Sequence, residues 1–118
     1  MKVTISTIDE FKRQARRLSK KYKSLINDLR SFQKELKDNP FQGIDLGGGV
    51  RKIRMAISSK GKGKSGGARV ITYNVKQLVG DEVLITLMTI YDKSVMENVS
   101  DAYLRSLVQQ IESSGSQK

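Results

Sequence analysis

The clearest change in the spacing of the apolar residues lies near Pro40, the only proline of the chain. Before that point apolar residues recur every three or four positions, which is the period of a helix packed on one side. They form two stripes: Ile8, Phe11, Ala15 and Leu18, then Leu25, Leu29, Phe32 and Leu36. After three consecutive glycines at 47–49 the pattern becomes alternating and β-branched, as in strands. This order predicts an α+β fold in which a helical hairpin packs on an antiparallel sheet.

Four segments are predicted to form the sheet. A short N-terminal strand over Lys2–Ser6 precedes the helices, and three longer strands follow at Val50–Ile57, Ala68–Val75 and Glu82–Ile90. The segment Phe41–Gly49 is rich in turn residues, so we expect it to be a connection and not a core element.

Polar residues mark the expected helix ends. Thr7-Ile8-Asp9-Glu10 matches a capping box and predicts that the first helix begins there. Ser100 is expected to open a last helix. The predicted order is therefore β-α-α-β-β-β-α in one domain over residues 1–112, and residues 113–118 are expected to form a flexible tail.

The chain contains no Cys and no His. These absences remove disulfides, thiolate nucleophiles, zinc–sulfur sites and catalytic sites that depend on imidazole. We expect no cofactor and no metal, so any chemistry must come from Lys, Arg, Tyr or carboxylates. No apolar run reaches the roughly 18 residues of a membrane span, and no secretion signal follows Met1. We therefore expect a cytoplasmic protein with no membrane partner.

Positive charge is concentrated in the first two thirds of the chain. The whole sequence has 22 Lys and Arg against 12 Asp and Glu, a net charge of +10. Residues 1–80 carry 19 basic and 6 acidic side chains, whereas residues 81–118 carry 3 and 6. A small domain with this balance is expected to bind a polyanion.

The densest basic segment runs from Arg51 to Arg69 and contains no acid. It holds seven cations: Arg51, Lys52, Arg54, Lys60, Lys62, Lys64 and Arg69. Like charges so close together repel each other, which predicts that an anion binds among them. The alternative is a solvated hairpin tip that only keeps the protein soluble, and it fits Lys60, Lys62 and Lys64 best. Lys52 and Arg54 are predicted to share one face of a strand.

Two further features allow either a structural or a functional interpretation. One face of the first helix is basic, and this face is either simply solvated or a contact for an RNA backbone. It carries Arg13, Arg16, Arg17, Lys20, Lys21 and Lys23. Tyr91, at the end of the last strand, is either a core aromatic or a ring on which a base stacks.

These residues together resemble the RelE/HigB superfamily of bacterial type II toxins, and most closely its HigB-like branch. The resemblance is carried by three runs, Val50–Arg54, Ser58–Ile71 and Leu87–Lys93, and spans residues 8–112. The loop of the KGKGKxGGxR type and the strand end of the IYxK type are fairly specific in combination. The resemblance implies the small microbial-ribonuclease-type fold of RelE proteins, whose order of elements matches the one predicted above.

Proteins of this family are ribosome-dependent mRNA endonucleases that cut mRNA in the A site of the 30S subunit and are neutralised by a cognate antitoxin. The resemblance therefore implies these two partners. It places Lys52 and Arg54 as the basic pair of the first hairpin strand. Arg69 becomes the arginine after the glycine loop, and Lys93 the cation after the last strand. The catalytic tyrosine of several RelE proteins has no counterpart between 95 and 100, and Tyr103 is out of register.

The expected chemistry is attack of a 2′-hydroxyl on the adjacent phosphate, which needs a base, charge stabilisation and a proton donor. Arginine binds phosphate oxygens with a permanently charged fork, so Arg54 and Arg69 suit stabilisation. A lysine acts as a base where neighbouring cations lower its pKa. Lys52 is the predicted base, with Tyr91 and Asp92 in reserve. The predicted catalytic set is Lys52, Arg54, Arg69, Lys93 and Tyr91, with RNA contacts from Arg51, Lys60, Lys62 and Lys64.

Two other functions fit the same residues. A non-catalytic RNA- or DNA-binding module would use the cations without any geometric demand at Arg69. A toxin of the same fold that poisons DNA gyrase is the third possibility, although that branch generally lacks clustered cations on the sheet. For a toxin of either kind, we expect the antitoxin to cover or displace the surface around Lys52, Arg54 and Arg69.

Overall fold

Three helices and five strands make up the part of the chain that this computed structural model describes, residues 1–77 and 79–116. The helices are α1 (Asp9–Lys21), α2 (Leu25–Asp38) and α3 (Asp101–Ser116). The strands are β1 (Lys2–Thr7), β2 (Ile44–Gly47), β3 (Val50–Met55), β4 (Ala68–Gln77) and β5 (Glu82–Asp92). A single 3-10 turn, Ser58–Lys60, lies at the start of the Gly-rich loop between β3 and β4. The predicted α+β class and helical hairpin are confirmed.

The five strands form one sheet in the order β1-β5-β4-β3-β2. β2, β3, β4 and β5 pair antiparallel with their neighbours, whereas β1 pairs parallel with β5. The N-terminal strand is thus part of the sheet, which is mixed and not purely antiparallel. The α1–α2 hairpin leads the chain from β1 to β2 at the opposite edge of the sheet, and β5 reaches the side of β1 only after β3 and β4.

The strand β2 was expected to be only a connection. Its four residues are all exposed, and Ile44 pairs with Lys52 while Asp45 pairs with Arg51. A short edge strand of this kind is held by backbone pairing and buries no side chain. It therefore leaves no alternating apolar pattern by which the sequence would reveal it.

The α1–α2 hairpin covers one face of the sheet and forms the main core. Phe11, Leu25, Phe32 and Leu36 contribute the buried helical side chains of this layer, together with Leu29. On the other face, α3 packs through Leu104 and Leu107. Because all three helices are amphipathic, the sheet lies between two apolar layers.

Both predicted helix starts are tested by the structure. The capping box is not formed, because Thr7 belongs to β1 and α1 begins after Ile8 with no side-chain cap. The Glu10 carboxylate instead accepts hydrogen bonds from Arg13 and from Tyr103 of α3. The second start is confirmed, since Ser100 Oγ accepts a hydrogen bond of 3.1 Å from the backbone N–H of Tyr103.

The last helix is longer than expected. It continues to Ser116, so residues 113–116 of the predicted tail are helical, while 117 and 118 lie outside the described residues. Among the helices that the structure describes, none has the length and hydropathy needed to cross a bilayer.

Candidate functional site

A cleft of about 480 Å³ opens on the sheet beside the Gly-rich loop. One wall is formed by β2, β3 and the start of β4, and the other by the segment that follows β5. Five cations line it: Lys52, Arg54, Lys64, Arg69 and Lys93. They come from stretches up to 41 residues apart in sequence, and the sheet order brings them together. The structure thus brings together Lys52, Arg54, Arg69 and Lys93 of the predicted catalytic set.

Strand register explains how this face is built. Arg54 of β3 lies opposite Arg69 of β4, which in turn lies opposite Tyr91 of β5. Residues directly opposite in antiparallel strands point to the same face, so these three side chains form one row across the sheet. Lys52 is two residues before Arg54 and shares its face. Ile53, between them, is buried in the core on the opposite face.

Lys52 joins the two walls of the cleft. Its Nζ donates a hydrogen bond of 2.9 Å to Oδ1 of Asn98, which lies in the segment after β5. Asn98 and its neighbour Glu97 also line the cleft. Sequence reasoning missed both residues, because they are exposed, belong to no regular element and approach Lys52 only through the tertiary fold.

Arg69 is almost completely buried, with 5% of its surface exposed. Its guanidinium donates to the backbone carbonyl oxygens of Lys64 at 3.2 Å, Ser65 at 3.1 Å and Ala68 at 3.1 Å. Burial lowers the pKa of Arg69, and the nearby Arg54 lowers it further, while Tyr91 partly opposes this shift. Arg69 therefore fixes the end of the Gly-rich loop and adds positive charge at the base of the cleft.

Arg54 and Lys93 are the two exposed cations of the cleft that form no ion pair within the described residues. The backbone N–H of Lys93 donates 3.1 Å to the carbonyl oxygen of Gly67, which holds this residue against the loop. An anion that enters the cleft would meet two unpaired positive groups.

Tyr91 was predicted to belong to the catalytic set, but its side chain does not lie in the cleft with the cations. Its ring is buried in the apolar layer beneath α3, and its hydroxyl donates 3.2 Å to the backbone carbonyl of Glu97. Burial raises the pKa of Tyr91, although the nearby Arg69 partly offsets the effect. The residue therefore packs beside Arg69 and supports the 97–98 segment, but it does not line the cation cleft.

The four expected RNA contacts lie in different environments. Arg51 donates to the carbonyl oxygens of Gln42 and Gly43, at 3.1 and 3.3 Å, and faces away from the cleft. Lys60 is buried in an ion pair with Asp92, in which Nζ lies 2.8 Å from Oδ1. The charged groups of Arg51 and Lys60 are therefore bound to other parts of the protein. Lys62 is exposed in the loop, and Lys64 lines the cleft.

Asp92 was a reserve candidate for the base. Its burial alone would raise its pKa, but hydrogen bonds from Lys60, Tyr22 and Ser94 outweigh burial and lower it well below the ordinary value. A buried carboxylate that already accepts these bonds is a poor proton acceptor. Asp92 therefore has a structural role and does not line the cleft.

A model of a known protein family matches most of the chain. The family described as the RelE toxin of the RelE / RelB toxin-antitoxin system matches residues 3–114. The match covers nearly the whole chain, from the second residue of β1 to most of α3, and it contains every residue of the cleft. The chain belongs to the RelE toxin family.

Proposed function

We propose that this protein is the toxin of a type II toxin–antitoxin system and acts as a metal-independent, ribosome-dependent endoribonuclease. Its substrate is mRNA in the A site of the ribosome. The proposal is supported by the family to which the chain belongs and by the convergence of Lys52, Arg54, Arg69 and Lys93 on one cleft. The convergence is the main observation, because none of these four cations forms an ion pair with a carboxylate in the described ranges.

In the proposed reaction the 2′-hydroxyl oxygen of one nucleotide attacks the adjacent phosphorus atom. The bond from phosphorus to the 5′-oxygen of the next nucleotide breaks, which leaves a 2′,3′-cyclic phosphate and a 5′-hydroxyl. Lys52 acts as the general base that takes the proton of the 2′-hydroxyl, and Asn98 orients its side chain. The Lys93 ammonium gives a proton to the leaving 5′-oxygen.

Charge on the pentacoordinate phosphorus is stabilised by the two arginines. Arg54 is exposed and binds the phosphate oxygens through its planar fork. Arg69 is already bound to three carbonyl oxygens, so its contribution is the positive potential at the base of the cleft. A lysine base and a lysine acid form a weak pair compared with imidazole, and the ribosome compensates by holding the mRNA in a reactive geometry.

The antitoxin is proposed to be a protein that presents acidic side chains to the cleft. The net charge of +10 and the unpaired Arg54 and Lys93 favour such a partner. Covering this surface would exclude RNA and neutralise the repulsion among the cations. The assignment to the HigB-like branch of the family stays a prediction.

A non-catalytic RNA-binding module is the second candidate. It is favoured by one observation, the three carbonyl hydrogen bonds that already occupy Arg69. Such a protein would bind RNA through Arg54 and Lys93 and leave the message intact.

The test uses a bacterial translation extract and a reporter mRNA whose new 5′ ends are mapped by primer extension. Wild type is compared with Arg54→Ala and Lys52→Met, with and without ribosomes. Arg30→Ala, on the exposed side of α2, is the matched control. Codon-spaced cuts that require ribosomes, persist in the control and disappear in both cleft variants would support the proposal. RNA binding without cuts would favour the binding module, and neither binding nor cuts would reject both.

A further inference from the structure

The most completely buried charged contact outside the cleft joins the start of the Gly-rich loop to the end of β5. Lys60 Nζ lies 2.8 Å from Asp92 Oδ1, and the two side chains are 9% and 2% exposed. Asp92 Oδ1 also accepts hydrogen bonds from the N–H of Ser94 at 3.0 Å and its hydroxyl at 2.7 Å. The other oxygen accepts a hydrogen bond from the hydroxyl of Tyr22. This cluster of Lys60, Asp92, Ser94 and Tyr22 is the loop anchor.

The loop anchor brings together three separate parts of the chain. Tyr22 belongs to the link between α1 and α2, Lys60 ends the 3-10 turn, and Asp92 is the last residue of β5. The Lys60 ammonium also lies over the Tyr22 ring, 5.4 Å from its centroid. Lys21 adds a second, exposed cation with its Nζ 3.8 Å from Asp92 Oδ2. The Asp92 carboxylate is thus surrounded by positive charge and donors.

The loop anchor lies next to the segments that bring Lys64 and Lys93 to the cleft. Asp92 is followed directly by Lys93, whose N–H donates to the carbonyl oxygen of Gly67 at the far end of the loop. Arg69 holds the same end through the carbonyl oxygens of Lys64 and Ser65. The loop is therefore fixed at its start by Lys60 and at its end by Arg69. Lys64 and Lys93 enter the cleft from these two fixed segments.

We infer that Lys60 and Asp92 are positioning residues for the cleavage reaction, which hold Lys64 and Lys93 at the cleft and make no contact with RNA. The inference rests on the proposed function. It gives Lys60 and Lys62 different roles, although the two lysines are only two residues apart in the sequence. It also gives the loop lysines two roles, since Lys60 neutralises a buried carboxylate, whereas Lys62 and Lys64 are exposed and within reach of a phosphate in solution.

Two rival interpretations make different predictions. If Lys60 contacts RNA, its loss raises KM and reduces the salt dependence of RNA binding by about one unit. If the ion pair only stabilises the fold, its loss lowers the free energy of unfolding and leaves the activity of the folded fraction unchanged. A positioning role instead lowers kcat of the folded protein and keeps the salt dependence of the wild type.

The experiment compares Lys60→Met, Asp92→Asn and the double variant, with Lys37→Met, at an exposed position of α2, as the matched control. Ribosome-dependent cleavage is measured as kcat and KM, after the folded fraction of each protein is determined by urea unfolding. We expect kcat to fall by about tenfold or more in Lys60→Met, because a small displacement of reacting groups has effects of this size or larger. The double variant is expected to be no worse than the worse single variant, since both break one interaction. Additive losses, or an altered salt dependence with unchanged kcat, would overturn the inference.

A second measurement does not depend on catalysis. The amide of Lys93 is expected to exchange with solvent about tenfold faster in Lys60→Met than in wild type, because the loop end to which it is bonded opens more often. The amide of Val70, in the middle of the sheet, should be unaffected. Unchanged exchange at Lys93 would overturn the positioning role. If wild type cleaved no mRNA but the Lys93 amide exchanged faster in Lys60→Met, the proposed function would be rejected and the structural link between Lys60 and Lys93 would stand.

Tyr22→Phe supports the same test where Lys60→Met is poorly folded. This change removes the hydroxyl that donates to Asp92 and keeps the ring under Lys60. We expect a smaller decrease in kcat with unchanged KM. If Tyr22→Phe kept both the kcat and the Lys93 amide exchange rate of wild type, the positioning role of the loop anchor would be contradicted.

Discussion

Arg54 of β3 lies directly opposite Arg69 of β4, so two guanidinium groups are neighbours on the face of the sheet that lines the cleft. Like charges in this position repel each other and destabilise a strand pair. Burial lowers the pKa of Arg69, and the charge of Arg54 adds to that shift. The fold thus maintains a repulsive pair of cations at the place where a bound phosphate would relieve the repulsion.

Replacing Arg54 with Gln is expected to stabilise the fold and abolish the function. Removing the repulsion should raise the free energy of unfolding by about 0.2–1 kcal/mol. Cleavage should fall by about 100-fold, because the exposed fork that binds the phosphate is lost. Urea unfolding and the ribosome cleavage assay measure the two effects.

Arg51→Gln is the matched control for this change. Arg51 lies on the same strand but donates to the carbonyl oxygens of Gln42 and Gly43. Its loss should lower the free energy of unfolding by about 1 kcal/mol. If Arg54→Gln destabilised the protein as Arg51→Gln does, the repulsion argument would be wrong.

Tyr91→Phe tests whether this residue belongs to the catalytic set. Its hydroxyl donates to the carbonyl oxygen of Glu97 and the ring lies in the apolar layer under α3. We expect a loss of about 1 kcal/mol in the free energy of unfolding and cleavage within about threefold of wild type. A loss of cleavage comparable to that of Arg54→Gln, with stability unchanged, would restore a catalytic role for the hydroxyl.

Much of the fold could be predicted from the sequence, because its signals are local. The stripes of α1 and α2 and the apolar run of β5 follow directly from the periods of helices and strands. The alternation in β3 also places Lys52 and Arg54 on one face before any tertiary information is available. The exposed edge strand β2 gives no such signal, since its only contribution is backbone pairing.

The candidate site was predictable only in part, for a related reason. Cations in the basic segment have similar sequence surroundings, and their roles depend on partners that are distant along the chain. Lys60 is paired with Asp92, 32 residues away, and Lys52 contacts Asn98, 46 residues away. Composition locates the positive charge, but only the packing of β5 and its following segment decides which cations remain free.

Gly67→Ala should damage the loop that lines the cleft. A Cβ at this position would lie 2.2 Å from the carbonyl oxygen of Met55 and 2.9 Å from the amide nitrogen of Ile57. Both are backbone atoms, so β3 would have to move away from the start of β4. We expect the free energy of unfolding to fall by about 1–3 kcal/mol, measured by urea denaturation.

The contrast with Gly61→Asn makes this prediction specific. Gly61 has a φ of +70° and open space around it, and Asn tolerates the left-handed conformation better than other side chains. This variant should stay within about 0.5 kcal/mol of wild type. Equal effects of the two changes would mean that close packing at Gly67 is unimportant.

The buried Asp92 should make the fold sensitive to acid. Its pKa is lowered in the folded protein, since hydrogen bonds from Lys60, Tyr22 and Ser94 outweigh the effect of burial. The stability from this carboxylate is therefore fully present above the unfolded pKa of about 3.9 and is lost as the pH falls towards the lower folded value. Urea unfolding from pH 6 down to pH 2.5 measures this dependence.

Asp92→Asn is expected to lose stability at pH 6, where the carboxylate contributes fully, and to approach wild type as the pH is lowered. The difference between the two proteins should narrow below about pH 4, by up to about 1.4 kcal/mol per pH unit, because one proton is involved. Asp38→Asn, at an exposed position that forms no ion pair within the described residues, is the matched control and should follow wild type at every pH. A constant difference between Asp92→Asn and wild type down to pH 2.5 would show that the charge of Asp92 contributes nothing to the acid sensitivity. The loop anchor would then be held by shape and neutral hydrogen bonds, and its ion pair would have no measurable role in stability.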